Sequence, residues 1–325
     1  MPLVSVTAQL LSSQSCCAGP EQPPSTPPMR FWIASILLLF AASPLAAQTT
    51  ALAVNSDAAE NPDRLLRVDL GNGQSTVVAN FASPLSGSNA ILGDIEGLAF
   101  DASGTLYAID DDTKTLLTIN PTTGSGQIIS NGNLRIGNTR LPAAPQDPSI
   151  TFTCDGDLLL STGVGRSLFR VNPGNAQTEL VGTAGSLGVE ITDLAASIQG
   201  VYGLGVDSLY RIDTSRGTAQ QIGSYGGISF PIGGGMAFDS SGQLWAVADR
   251  GPNTPSALYR IDHNTGRATA VGLTAAGIES LAIGPAPCAP AGPVGVPVPL
   301  GGIWSLPLFG LLLLAGIGAL RFSRA

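Results

Sequence analysis

The 325-residue chain contains one histidine, His263. That scarcity excludes a nucleophile–histidine–acid triad unless His263 itself serves, and it excludes a zinc centre built on paired imidazoles. His263 falls in the polar turn of a repeated hairpin and is expected to be exposed there. Charge is scarce too: 12% of residues are charged and the net charge is -8. No basic patch exists, so nucleic acid is excluded as a partner. Aromatic residues make up 6%, and no stretch between residues 50 and 285 spaces its apolar residues helically. The triplet Gly233–Gly235 is followed by neither lysine nor helix, which makes it a tight strand entry rather than a phosphate loop. What the interval does contain is strand-sized apolar runs broken by Gly, Asn, Asp and Pro, the pattern of an all-β chain.

The two ends differ from the middle. "MRFWIASILLLFAASPLAAQ" places Arg30 before an apolar run and small residues up to Ala47, the three-part pattern of a secretory signal peptide over 29–47. Residues 1–28 are proline-rich and resemble neither a targeting signal nor a domain. They are expected to be untranslated or disordered, with Met29 as the start. Residues 288–302 form a Pro/Gly-rich spacer. The uncharged run 303–320, at about 1.5 Å per residue, is just long enough to cross a bilayer core as a transmembrane helix. The basic tail 321–325, with Arg321 and Arg324, would remain cytoplasmic.

Between them, residues 48–287 repeat one hairpin five times: "LLRVDLGNG", "LLTINPTTG", "LFRVNPGNA", "LYRIDTSRG" and "LYRIDHNTG". Aligned on Asp69, Asn120, Asn172, Asp213 and Asp262, the copies lie 51, 52, 41 and 49 residues apart, the spacing of propeller blades. A second unit precedes most copies, as in "GLAFDASGTLYAID" and "GMAFDSSGQLWAVAD". Together they make four antiparallel strands, a sheet that cannot bury both faces alone. The chain ends on an isolated first strand, "IESLAIG", and begins with strands that lack one. The expected architecture is therefore an all-β propeller of five four-stranded blades, closed by a blade shared between the termini. The segment 131–147 leaves room for one further strand pair, so a sixth blade stays open, and a β-sandwich is the alternative that predicts no complementary ends. Arg67, Arg170, Arg211 and Arg260 recur at one strand position and are expected to pair with neighbouring acids.

Candidate chemistry is confined to few residues. Without the leader two cysteines remain, Cys154 and Cys288, expected to form a disulfide in an exported protein. Glu96 and Glu279 occupy the same place before the first strand of neighbouring blades, with Asp94, Asp147 and Asp193 entering near equivalent places. A ring of oxygen ligands at a propeller axis suits Ca²⁺, so Glu96, Glu279, Asp147 and Asp193 are the candidate ligands. The run Asp110–Asp112 is read as a solvated acidic loop tip.

Two resemblances follow from these residues. The C-terminal stretch, with Val296, Pro297, Val298, Pro299 and Leu300 before one apolar helix and a basic tail, resembles the sorting signals of the PEP-CTERM group and its IPTL- and VPxP-type relatives. That resemblance implies a Gram-negative bacterium, transient anchoring in the inner membrane, a sorting protease as partner, and release to the cell surface or beyond. "EGLAF", from Glu96, resembles the strand-entry glutamate of regucalcin-, gluconolactonase- and esterase-like phytase propellers. Two functions stay open: a surface-displayed binding or envelope-matrix module for an extracellular ligand, or a Ca²⁺-dependent hydrolase of esters, lactones or phosphoesters at the axial opening.

Overall fold

The computed structural model describes residues 50–60, 62–81, 94–136, 139–140, 147–231 and 233–288. These belong to the unit Pro44–Ala325; the other unit, Met1–Ser43, lies outside the described residues. So do the segment 29–47, the motif 296–300, the run 303–320 and the tail. Among the described residues no helix is long and apolar enough to cross a membrane.

The chain forms a five-bladed β-propeller. Blade one joins β22 (Ser280–Ala282) to β1 (Thr50–Val54), β2 (Arg64–Asp69) and β3 (Ser75–Asn80). Blade two is β4 (Ile95–Phe100), β5 (Leu106–Asp110), β6 (Thr115–Ile119) and β7 (Gly126–Asn133). A small hairpin, β8 (Arg135–Ile136) and β9 (Thr139–Arg140), precedes blade three, which is β10 (Pro148–Phe152), β11 (Leu158–Thr162), β12 (Ser167–Val171) and β13 (Gln177–Val181). Blade four is β14 (Asp193–Ser197), β15 (Gly200–Leu204), β16 (Ser208–Asp213) and β17 (Thr218–Ser224). Blade five is β18 (Gly234–Phe238), β19 (Leu244–Ala248), β20 (Pro255–Ile261) and β21 (Ala268–Ala276).

Closure is as the complementary ends require. β22 pairs antiparallel with β1, Leu281 opposite Ala53, and packs between β18 and β4. The strand pair anticipated within 131–147 is the β8–β9 hairpin, and β8 adds in parallel to the outer edge of blade three. It makes no sixth blade.

Why every blade needs its neighbours is visible in the packing. β10, β11 and β14 are buried at every position, so both faces are covered. Successive residues serve opposite seams: Leu158 and Leu160 pack against blade two, whereas Leu159 packs against blade four. Each of the five blade pairs shares one apolar cluster. The innermost strands approach so closely that a Cβ on Gly235 would lie 2.3 Å from the Leu281 nitrogen.

The repeated hairpin is the outer half of each blade, and its turn joins blade to blade. Gly73, Gly124, Ala176, Gly217 and Gly266 each follow the turn Asp or Asn by four residues and have positive φ. Each donates its N–H to that residue's carbonyl, at 2.7–2.9 Å. At Gly266 a Cβ would meet the Gly223 carbonyl of blade four at 2.3 Å. Gly266→Ala therefore combines a left-handed backbone penalty with a backbone clash. It is expected to cost about 2 kcal/mol or more, measured as a loss in denaturant midpoint.

The recurring arginines do not all pair with acids. Arg170 meets Asp157 at 2.9 Å, but Arg211 lies 4.7 Å over Tyr202 and Arg260 5.6 Å over Trp245. In both cases the aromatic is the cross-strand neighbour, at the distance of a cation–π contact.

The segment 284–288 straps one mouth of the axis. Pro285 bridges Phe100, the Pro287 carbonyl accepts from Ile198 N–H at 3.1 Å, and Cys288 is disulfide-bonded to Cys154. The axis itself is lined by Leu98, Phe152, Ala195, Met236 and Leu281, with the strap residues Gly284 and Ala286 at its end. Apart from Thr151 its lining side chains are apolar, so it is not a polar channel.

Candidate functional site

In every blade the entry to the first strand, the exit of the second and the end of the fourth lie at the mouth away from the strap. Two neighbouring blades deliver acids there, Glu279 and Asp57 both belonging to blade one. Blade one provides Asp57 after β1, blade two provides Asp94, Glu96 and Asp111, and Glu279 enters β22. Carboxylate oxygens of Asp57, Asp94 and Glu279 lie within 4.8 Å of one another, and so do those of Asp94, Glu96 and Asp111. Asp94 belongs to both groups.

Local structure fixes these positions. The Asp110 carboxylate accepts from Thr113 N–H at 2.8 Å and Asp94 N–H at 3.2 Å, while Asp111 N–H reaches the Asp94 carbonyl at 2.7 Å. The β5–β6 loop is thereby folded over the entry to β4. Asp110 and Asp111 are 0% and 2% exposed, so these two are not part of the solvated tip that the sequence suggests, whereas Asp112 is exposed. Lys114, the only lysine in the sequence, is buried and ion-paired with Asp111. Ser56 hydrogen-bonds Glu279 Oε2 at 3.2 Å.

One buried ammonium does not balance this many carboxylates. Burial foremost, then Glu279 and Asp94, push the Glu96 carboxyl up to about 11. Glu279 is pushed up to about 9 by burial and by Asp57 and Asp94, and Asp94 to about 7 by burial and by Asp112 and Asp111. Asp63, at the same mouth, rises to about 6 through burial and Asp110. Like charges held together away from water favour protonation or a bound cation.

Asp249 adds an independent observation. It is 0% exposed; Oδ1 accepts from the Arg250 and Gly251 amides, and the Gly277 amide also acts on the carboxylate. Its charge acts on Glu279, and Asp57 acts on it, so this buried carboxylate belongs to the same acidic field.

Of the four ligands expected from the sequence, Glu96 and Glu279 come together at this mouth. Asp147 enters the same mouth from blade three; burial first, then Asp111 and Glu190, raise its carboxyl. It belongs to neither triad. Asp193 is elsewhere engaged: its carboxylate accepts from Leu194 N–H at 2.8 Å, from Ser149 Oγ and from Met236 N–H. It ties blades three, four and five together inside the ring. Asp57, Asp94, Asp111 and Asp249 were not among the four, although Asp111 and Asp249 both follow a second strand in matching fashion, "LYAIDD" and "LWAVAD".

No protein-family description and no curated protein matches the sequence. Solved structures resemble it in fold. Hydrazine synthase from Kuenenia stuttgartiensis aligns at 15% identity and TM-score 0.36 over 57% of this chain and 51% of its own, so this chain spans about half of that one. Virginiamycin B lyase from Staphylococcus aureus aligns at 14% identity and TM-score 0.37, covering 69% of this chain and 70% of that one. A gluconolactonase from Xanthomonas campestris aligns at 14% identity and TM-score 0.41, covering 72% and 79%. At these identities none of those activities transfers to this chain.

The donor set itself indicates which ion fits. Calcium binds oxygen at 2.3–2.6 Å, so two ligands across one ion stand about 5 Å apart. Both triads meet that limit. Neither contains histidine or cysteine, which disfavours zinc. A triad of three carboxylates also leaves coordination positions open for an outside ligand, most readily beside exposed Asp57.

Proposed function

We propose that the protein is an exported, surface-displayed binding module whose acidic mouth holds a hard divalent cation of the Ca²⁺ type and engages an extracellular ligand through it. The observation that carries this is the convergence of two oxygen triads on Asp94, with a single buried lysine as internal counter-charge. The signal-like segment 29–47 supports export. The spacer, the Val296–Leu300 motif and the apolar run 303–320 support transient inner-membrane anchoring, processing by a sorting protease and surface display.

Calorimetry on the full-length chain in detergent tests the site. Ca²⁺ is expected to bind with Kd on the order of 10⁻⁴–10⁻³ M, the range of extracellular sites. Asp94→Asn should weaken binding at least tenfold, because that residue serves both triads. No heat of Ca²⁺ binding in the parent chain would remove the proposal.

The open positions beside Asp57 also favour a second reading, a Ca²⁺-dependent hydrolase of esters, lactones or phosphoesters. A cation with free positions polarises a bound oxygen and activates water. Ca²⁺-dependent turnover on a panel of such substrates, lost in Asp94→Asn, would replace the binding reading with this one.

A further inference from the structure

At the strapped mouth, opposite the acids, a cleft of about 150 Å³ opens at the seam of blades four and five. Its walls come from three hairpin turns and the strap: Gln199, Phe238, Ser240, Ser241, His263 and Pro287 are among its lining residues. We propose that this cleft binds one neutral pyranose ring, as a free monosaccharide or the end residue of a glycan.

The first argument is charge. No acidic or basic side chain lines the cleft except His263. The ionic groups nearby are spent on other partners. Asp239 accepts from Ser241 N–H at 2.8 Å, Gln243 N–H at 3.0 Å and the Trp245 indole at 2.8 Å. Arg211 lies over Tyr202 and donates to the Gln199 carbonyl. A charged guest finds nothing here to pair with, and a buried unpaired charge is costly.

The second argument is the mixture of surfaces. Phe238, Ile198 and Pro287 offer apolar area, matching the C–H face of a sugar ring. Around them sit hydrogen-bonding groups with capacity to spare. Ser240 Oγ and His263 Nε2 are shielded from water and have no partner. The Gln199 side-chain oxygen accepts from Tyr202 at 3.2 Å, which leaves its amide N–H groups to point at a guest. A hydroxyl-rich guest satisfies these groups, whereas an apolar guest of the same size leaves them orphaned.

The third argument is rigidity. His263 is not the exposed turn residue its position in the sequence suggests. It is half-buried, with Phe238 at 5.7 Å and Tyr202 at 5.8 Å between ring centroids. Pro287 is held by the Ile198 hydrogen bond and by the disulfide at the next residue. The walls are set before a guest arrives, which lowers the ordering cost of binding.

The test uses the full-length chain in detergent with methyl pyranosides of glucose, galactose, mannose, N-acetylglucosamine and fucose as probes, read by saturation-transfer NMR and calorimetry. At least one is expected to bind with Kd on the order of 10⁻³ M. Because the guest is neutral, 1 M NaCl should leave affinity unchanged. EDTA should also leave it unchanged, which separates this cleft from the cation at the other mouth. Ser240→Ala, and His263→Phe, which keeps a ring in the aromatic cluster, should each weaken binding about three- to tenfold at unaltered melting temperature. The proposal is overturned if no pyranoside binds, if glucuronate or glucosamine binds in preference to the neutral sugars, or if both variants bind like the parent.

Discussion

Leu281→Asp is expected to unfold the ring or leave it at the edge of unfolding at 25 °C. Leu273→Asp, on the outer strand of blade five, should stay within about 0.5 kcal/mol of the parent. Leu281 is 2% exposed and Leu273 56%. The inner position lies in β22, opposite Ala53 and packed with Trp245, Val247 and Leu258. A carboxylate there has no partner and would separate the last strand from the first. The cost of burying it, about 5 kcal/mol, is comparable with the whole stability of a typical domain, about 5–15 kcal/mol. The disulfide sharpens the experiment. It closes a loop of 134 residues, and chain-entropy reckoning assigns such a loop up to about 5 kcal/mol. Any residual structure in oxidised Leu281→Asp should vanish on reduction. Urea unfolding of the parent and both variants, with and without reductant, reads all of this. A cooperative, parent-like transition in Leu281→Asp would mean that ring closure is not what holds the fold.

The ring was legible because its signals are local or complementary. Alternation such as Leu158–Leu160, a turn Asp four residues before a glycine, and a lone terminal strand all survive without knowledge of contacts. The acidic mouth was half legible. Glu96 and Glu279 share an offset from their strand leucines and so were paired on paper. Asp111 and Asp249 share one too, but "DDD" looks like a solvated tip. Only the folding of the β5–β6 loop onto Asp94 buries Asp110 and Asp111. Asp193 misled for the opposite reason: as the first residue of β14 its side chain meets Ser149 and Met236 of the flanking blades, not the mouth. Arg211 and Arg260 needed strand register, because only register sets Tyr202 and Trp245 across from them. His263 needed Tyr202 of blade four and Phe238 of its own blade, a neighbourhood no single hairpin sequence reveals.

Stripped of divalent cations, the protein should lose stability as pH rises, with the melting temperature in EDTA falling by about 10 °C or more between pH 5 and pH 9. The direction follows from proton linkage. Glu96 titrates near 11 and Glu279 near 9 in the folded chain, against 4.5 as free side chains, and Asp94 near 7 against 3.8. Below about pH 4 all three are protonated in both states and have no effect on the balance. Above it the unfolded chain releases protons that the folded chain retains, so each pH step favours unfolding until the folded values are passed. Asp94 exhausts its share near pH 7, Glu279 near 9 and Glu96 near 11. The two buried glutamates together can withdraw on the order of several kcal/mol by pH 8, and for a domain of this size each kcal/mol moves the melting temperature by about 2–4 °C. A bound cation reverses the trend, since it takes the carboxylates in their ionised form and binds more tightly as protons leave. The gap between melting curves in Ca²⁺ and in EDTA should therefore widen from pH 5 to pH 8. Glu96→Gln should do two things at once: flatten the pH dependence in EDTA and shrink the Ca²⁺ response. A melting temperature in EDTA that is flat or rising across this window would show that these carboxylates are neither crowded nor desolvated, and the reason for placing a cation among them would go with it.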